Sequence, residues 1–277
     1  MELGLKGKTA IITGGSGGIG QGMVLAFARS GINTVSASRD LESGKKLEEQ
    51  AKELGYEGQV LAIKCDVTDR ENVDAMVEET RKAFGPVDYL INNAGGAAHP
   101  KPFEELAPED TAWEVDVNIN GVINCCQAVV PDMVGRSTGS IVNIGSTSAL
   151  NGIAAAHMVS YGSVKGFVHV FTKNLAWEWG PKGVRVNTIA PGWIVPEKEE
   201  DIGAGSFWRK YGFDMMGKPD DMQKALEDGT LFNMADLPIK RLGRPDDIAN
   251  CAMFLCSDAA GYITGQLINV GGGTWMY

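Results

Sequence analysis

The order of the chain's apolar runs constrains its fold more than any other feature. Seven short runs rich in β-branched residues lie near 9–13, 34–37, 60–63, 87–91, 140–144, 184–189 and 267–270. Longer amphipathic stretches separate them near 19–30, 41–54, 70–84, 113–134, 160–179 and 245–255. Strands that alternate with helices pair in parallel through βαβ crossovers, which cover both faces of the sheet. The expected architecture is a doubly wound α/β fold with a parallel sheet. No linker, internal repeat or low-complexity tract divides residues 1–277, so they read as one domain.

The rhythm breaks once. Residues 193–237 form a connection far longer than the usual 4–6 or so residues. Their aromatics and methionines, Trp193, Phe207, Trp208, Tyr211, Phe213, Met215 and Met216, fit a pocket lid that contains short helices. Gly203, Gly205, Gly212 and Gly217 would hinge it. The alternative is an irregular insert packed on itself or on a neighbouring subunit.

Charge and composition exclude several classes of function. With 25 basic and 35 acidic residues the net charge is −10, which offers no basic field to nucleic acid or an anionic membrane. No apolar run approaches the roughly 18 residues that span a bilayer, and Met1 to Lys8 carry no signal-peptide pattern, so a cytoplasmic protein is expected. The five cysteines are odd in number and lack C-x-x-C spacing, which favours buried free thiols. Three histidines without ligand spacing argue against a bound metal.

Chemistry enters with the glycines. There are 36, roughly double the ordinary share of about 7%. Thr13-Gly14-Gly15-Ser16-Gly17-Gly18-Ile19-Gly20 lies between the first strand and the first helix, where backbone N–H groups and the helix dipole suit a pyrophosphate. It satisfies both G-x-G-x-x-G and T-G-x-x-x-G-x-G, so spacing alone leaves the type of dinucleotide site open. Farther on, Tyr161 and Lys165 lie one helical turn apart on one face. An ammonium beside a phenol favours phenolate, so Tyr161 is expected to exchange a proton with a substrate oxygen. Fifteen residues before Tyr161, a strand ends in the hydroxyl of Ser146.

Together with Asn92-Asn93-Ala94-Gly95, Asn118-Ile119, Pro191-Gly192 and Arg241-Leu242-Gly243-Arg244-Pro245, these motifs resemble the short-chain dehydrogenase/reductase family over nearly the whole chain. The resemblance implies a Rossmann sheet in the order 3-2-1-4-5-6-7, a nicotinamide cofactor and a homotetramer. It implies a small-molecule carbonyl or alcohol substrate, with 3-oxoacyl thioesters the commonest type and sterols or polyols the rivals. Tyr161 would be the acid/base and Ser146 would polarise the substrate oxygen, with Ser148 the alternative. Lys165 would hold the nicotinamide ribose and tune Tyr161, and Asn118 would complete a proton relay.

The same resemblance assigns cofactor contacts to Gly14, Ser16, Gly17, Gly18, Ile19 and Gly20, to Asp66 and Val67, and to Asn93, Ala94 and Gly95. Tyr161, Lys165, Pro191, Gly192 and Ile194 would complete the set. After Pro191-Gly192 this chain lacks the threonine common in the family, so backbone atoms of Ile194 or Val195 would replace its contact. An acid about 20 residues past the glycine loop favours NAD, and Asp40 stands there. Alignment along the family pattern instead puts Ser38 and Arg39 at the discriminating strand end, with Asp40 as a helix cap, which favours NADP(H) and leaves NAD(H) possible. His99 and His157 are candidates for the cleft rim, and His169 for a packing face with Phe167 and Phe171. Trp177 and Trp179 are expected in core or subunit contacts.

Overall fold

Adjacent residues of a strand face opposite ways, and here both faces are apolar. The computed structural model describes residues 3–151, 157–195, 217–230 and 237–273. The strands are β1 (Thr9–Thr13), β2 (Asn33–Ser38), β3 (Val60–Lys64), β4 (Tyr89–Asn92), β5 (Gly139–Ile144), β6 (Val184–Pro191) and β7 (Leu267–Val270). They form one parallel sheet in the order β3-β2-β1-β4-β5-β6-β7. Register pairs Ile11 with Val35 and Leu90, Ile91 with Val142, and Ile189 with Ile268.

The helices are α1 (Gly18–Arg29), α2 (Leu41–Glu53), α3 (Arg70–Phe84), α4 (Pro108–Val115), α5 (Gly121–Gly135), α6 (Val159–Trp179), α7 (Pro219–Glu227) and α8 (Pro245–Cys256). On one face Ile12, Ile91 and Val142 pack with Met23 and Phe27 of α1 and with Ile248 and Ala252 of α8. On the other, Ile11, Leu90 and Ile141 pack with Val77 of α3, Val129 of α5 and Leu175 of α6. Trp179 is buried in that second core, while Trp177 is 87% exposed. All five cysteines are free, and burial raises their thiols.

Strand β4 begins two residues later than its apolar run, and just before it the Asp88 carboxylate accepts the Thr9 N–H at 3.0 Å and pairs with Arg136 at 3.2 Å. Asp69 caps α3 by accepting from the N–H groups of Glu71 and Asn72. The stretch read as one helix from Trp113 to Val134 is divided. A π-helical turn at Asp116–Asn120 joins α4 to α5, and Gly121 N–H reaches back to the Asp116 carbonyl.

In the long connection after β6, α7 supplies one of the expected short helices. Its Met222 and Leu226 pack with Val195, Leu237 and Leu242. The lid residues Phe207, Trp208, Tyr211, Phe213, Met215 and Met216, and the glycines 203, 205 and 212, lie outside the described residues. Among the described residues no helix is long and apolar enough to cross a membrane.

Candidate active site

Strand order reverses between β1 and β4, and open α/β sheets bind ligands at the carboxyl ends of the strands beside such a switch point. The two strand ends are tied together there. Thr13 Oγ1 donates to the Ile91 carbonyl at 3.3 Å and accepts from the N–H groups of Asn93 and Ala94, both at 3.0 Å. The Asn93 amide donates to the carbonyls of Thr13 at 2.9 Å and Gly14 at 3.2 Å. Its side chain therefore braces the glycine loop, so any cofactor contact made by that side chain is secondary to this brace.

The loop admits little but glycine. A Cβ on Gly20 would strike the Gly14 carbonyl, while Gly18 has φ 55° with open space where a side chain would stand. Gly17 precedes α1 in extended backbone; the helix has no side-chain cap and no acid in its first turn. The N–H groups of that turn are thus left to an anion, and Ser16 and Ile19 lie half-buried beside them. This cradle fits the pyrophosphate of a dinucleotide.

At the end of β2 the two readings of the adenine side separate. Asp40 caps α2, its Oδ1 accepting from Ser43 N–H at 3.1 Å and its Oδ2 from Ser43 Oγ at 2.7 Å. Those bonds hold its carboxyl below the usual range. Ser38 is buried and donates to the Asp40 carbonyl at 2.9 Å, and Arg39 is exposed. Among the described residues Arg39 makes no ion pair. Beyond β3, Asp66 Oδ1 accepts from Thr68 N–H at 3.0 Å and from Thr68 Oγ1 at 2.8 Å. Val67 is buried, and its carbonyl takes a bond from Asn124 at 3.0 Å.

The proposed proton-transfer residues converge from three places in the chain. After β5, Ser146 stands in extended backbone and its Oγ accepts the Ser148 N–H at 3.1 Å. The Ser146 side chain lies near enough to the Tyr161 phenol to favour its ionised form. Lys165 is buried on α6, its Nζ donating to the Ile144 carbonyl at 2.9 Å and lying 5.7 Å from the Tyr161 ring centroid. Asn118, fully buried in the π turn, donates to the carbonyls of Gly96 and Glu114, both at 2.9 Å, and accepts from Gly96 N–H at 3.1 Å. Gly95 lets Asn118 and Lys165 approach each other, since a Cβ there would strike Asn118 Oδ1 and come within 3.1 Å of Lys165 Nζ.

The electrostatics differ from the expectation for a tyrosine beside a lysine. Burial pushes the Tyr161 phenol up to about 12; the Ser146 hydrogen bond opposes the rise and the charge of Glu114 adds to it. Burial also brings the Lys165 ammonium down to about 8. Nζ donates to the Ile144 carbonyl and lies 5.7 Å from the ring centroid, and the rise from desolvation prevails at the phenol. At neutral pH the cluster presents a protonated phenol, a hydroxyl and a cation.

Other expected residues fall in varied places. Gly192 N–H donates to the Val270 carbonyl at 3.0 Å, just beyond Pro191 at the end of β6. Ile194 forms an isolated bridge with Gly243, and Val195 N–H donates to the Gly243 carbonyl at 2.9 Å. The Val195 amide is therefore engaged within the protein. His99 Nδ1 contacts Asp110 at 2.8 Å, and His157 is exposed at φ 57°. His169 is buried against Gly145, two positions from the stacked rings of Phe167 and Phe171, and so lies on another side of the helix. Burial first, then Lys165 and Lys173, lower it to about 4.

The chain has relatives along nearly its whole length. Residues 8–205 match the family model described as short chain dehydrogenase, and 214–274 match one described as Enoyl-(Acyl carrier protein) reductase. A 7alpha-hydroxysteroid dehydrogenase of Escherichia coli (strain K12) is 34% identical over 272 residues, covering 98% of this chain and 96% of that protein. The 3-oxoacyl-acyl-carrier-protein reductase FabG of Staphylococcus epidermidis is 34% identical, covering 97% and 99%. A solved 7 alpha-hydroxysteroid dehydrogenase complexed with NADH and 7-oxo glycochenodeoxycholic acid has TM-score 0.81 at 34% identity, covering 98% of this chain and 95% of that one. With a family model matched over most of its length and relatives aligned from end to end, the chain belongs to the short-chain dehydrogenase/reductase family of NAD(P)-dependent oxidoreductases.

Proposed function

We propose that this enzyme uses NADPH to reduce a ketone to a secondary alcohol, with Tyr161 as the proton donor. The observation that carries the reading is the convergence beyond the end of β5 of the half-buried Tyr161 ring with Lys165 Nζ, 5.7 Å from its centroid, and of the buried Ser146. When bound, the nicotinamide supplies the hydride that reduces the carbonyl carbon. Ser146 donates a hydrogen bond to the substrate oxygen and stabilises its developing negative charge. Tyr161 delivers its proton to that oxygen. The Lys165 ammonium sits beside the ring where the phenolate then forms, and Asn118 holds the loop at Gly96 against Lys165.

The dinucleotide would be held by the backbone of the glycine loop, with Asp66 and Val67 at the adenine, Asn93 to Gly95 and Pro191 to Ile194 along its length, and Lys165 and Tyr161 at the nicotinamide ribose. Preference for NADPH is supported by the engagement of Asp40 in the cap of α2, which leaves the exposed Arg39, beside Ser38, to receive a 2′-phosphate. The substrate class supported best is a free apolar carbonyl compound, small or bulky. The segment 193–237 holds ten acids against five bases, which does not favour docking of an acidic carrier protein. The exposed Val170 and Trp177 of α6 support the homotetramer implied by the family resemblance.

The test is oxidation of NADPH and NADH, at equal low concentration, with steroid ketones, aryl ketones, sugars and β-ketoacyl thioesters. Faster turnover of a steroid or aryl ketone with NADPH is expected. Faster turnover with NADH would overturn the cofactor reading. A higher kcat/KM for carrier-linked β-ketoacyl thioesters would overturn the substrate reading.

A further inference from the structure

Three polar side chains stand four residues apart along α4 and the π turn that follows it: Asp110, Glu114 and Asn118. Residues so spaced share one face of a helix. The segment after β4 matches that face bond for bond. The Asp110 carboxylate contacts His99 Nδ1 at 2.8 Å, and Glu114 Oε1 accepts the Ala98 N–H at 2.8 Å. Asn118 accepts from Gly96 N–H at 3.1 Å and donates to the Gly96 carbonyl at 2.9 Å. As the helix advances from 110 to 118 its partners step back from 99 to 96, so the segment lies antiparallel along it. Trp113 closes the same contact, since a Cβ on Gly96 would stand 3.7 Å from its ring.

Residues 96–99 belong to no helix or strand, and the N–H groups of Gly96 and Ala98 are taken by side chains of the helix instead of a backbone ladder. Glu114 is the costly member of the set. It is only 3% exposed, and its Oε2 is buried with no hydrogen-bond partner. An apolar residue would avoid that desolvation but would deprive the Ala98 N–H of its acceptor, and a carboxylate makes the stronger bond to a backbone donor. What this bond holds lies next to the reacting groups. The segment continues from Gly95, where a Cβ would come within 3.1 Å of Lys165 Nζ, and connections beyond the carboxyl ends of strands line the cleft of an open α/β sheet.

We propose that Glu114 and Asp110 are positioning residues that clamp segment 96–99 along α4, and that this segment is the wall against which the ketone is seated beside Tyr161. Asn118 ties the inner end of the wall at Gly96, and Glu114 and Asp110 carry it outward to His99. Glycine at 96 and alanines at 97 and 98 make it a wall of backbone and methyl groups, which leaves room for a bulky apolar carbonyl compound.

The inference rests on the proton-transfer reading for where the ketone sits, and two readouts keep them apart. Hydrogen–deuterium exchange of the 96–99 amides, followed by mass spectrometry on the full chain, reads the clamp without any turnover. Glu114→Leu is expected to speed that exchange by about tenfold and to raise KM for the fastest ketone of the panel above by about fivefold, with Kd for NADPH unchanged. Glu114→Gln, which keeps an acceptor for the Ala98 N–H, is expected to restore most of both. Unchanged exchange in Glu114→Leu, or equal acceleration in both variants, overturns the clamp. Faster exchange with an unchanged ketone KM, or a Kd for NADPH that weakens in step with it, overturns the role of the segment as the wall. If Glu114→Leu does not fold, Asp110→Ala takes its place and is expected to speed exchange and raise the ketone KM in the same way; unchanged exchange there overturns the clamp. Ketone reduction retained by Tyr161→Phe would overturn the proton-transfer reading and leave the exchange result standing.

Discussion

Around the end of β1 the cleft is built of backbone, whereas around the end of β5 it is built of buried side chains. In the first region Gly14, Gly18 and Gly20 leave N–H groups and space, and the bracing bonds run from Thr13 and Asn93 to main-chain atoms. In the second, Ser146, Lys165 and Asn118 are buried around a phenol whose proton affinity burial has raised. The first region works through shape and fixed dipoles, which pH does not alter. The second works through groups whose charges depend on how water is excluded. The two should therefore fail in different ways when altered.

The largest difference is expected at Tyr161. Tyr161→Phe removes the proposed proton donor and should lower kcat by about 10²–10⁴, measured with saturating NADPH. Gly20→Ala should produce the opposite pattern, with KM for NADPH raised, kcat little changed and native stability lowered by about 1–3 kcal/mol, because the added Cβ meets the Gly14 carbonyl. Chemical denaturation alongside steady-state kinetics checks both parts; a loss confined to kcat would erase the contrast.

His169, in the side-chain region, gives the enzyme an acid sensitivity that the glycine loop lacks. Its pKa is about 4 in the native state against an ordinary 6.5, so between those values the unfolded chain binds more protons. Stability is full above pH 6.5 and falls as pH drops toward 4, on the order of 2 kcal/mol or less once solvent screening is allowed for. Urea unfolding at both pH values should show a smaller drop for His169→Gln; equal drops would remove His169 as the cause. The smallest effect belongs to Arg39→Ala, for which KM for NADPH should rise by about tenfold while turnover with NADH stays unchanged.

The same contrast explains what the amino-acid sequence made legible. Strand–helix alternation and glycine spacing are local patterns, so the sheet and the phosphate loop follow from them directly. The strand order and the Ser146, Tyr161 and Lys165 set came from the family's ordered motifs. Burial depth is not local. The four-residue spacing of Tyr161 and Lys165 put them on one face, but Nζ is bound to the Ile144 carbonyl of β5 and desolvation raises the phenol, which reversed the expected shift. The π turn left no mark, because Asp116 to Asn120 keep the periodicity of a helix. His169 lies near Phe167 and Phe171 in the chain, yet two residues turn a helix by about 200° and place it elsewhere.

The central claim is that the backbone loop holds the dinucleotide while the side-chain cluster moves the proton. A fluorescence titration of NADPH into Tyr161→Phe, on the same preparation used for turnover, tests it most directly. The account predicts a Kd within about threefold of the native protein, the scale of one lost uncharged hydrogen bond, while ketone reduction is lost. A Kd weakened in proportion to the loss of turnover, or turnover retained without the phenol, would contradict it.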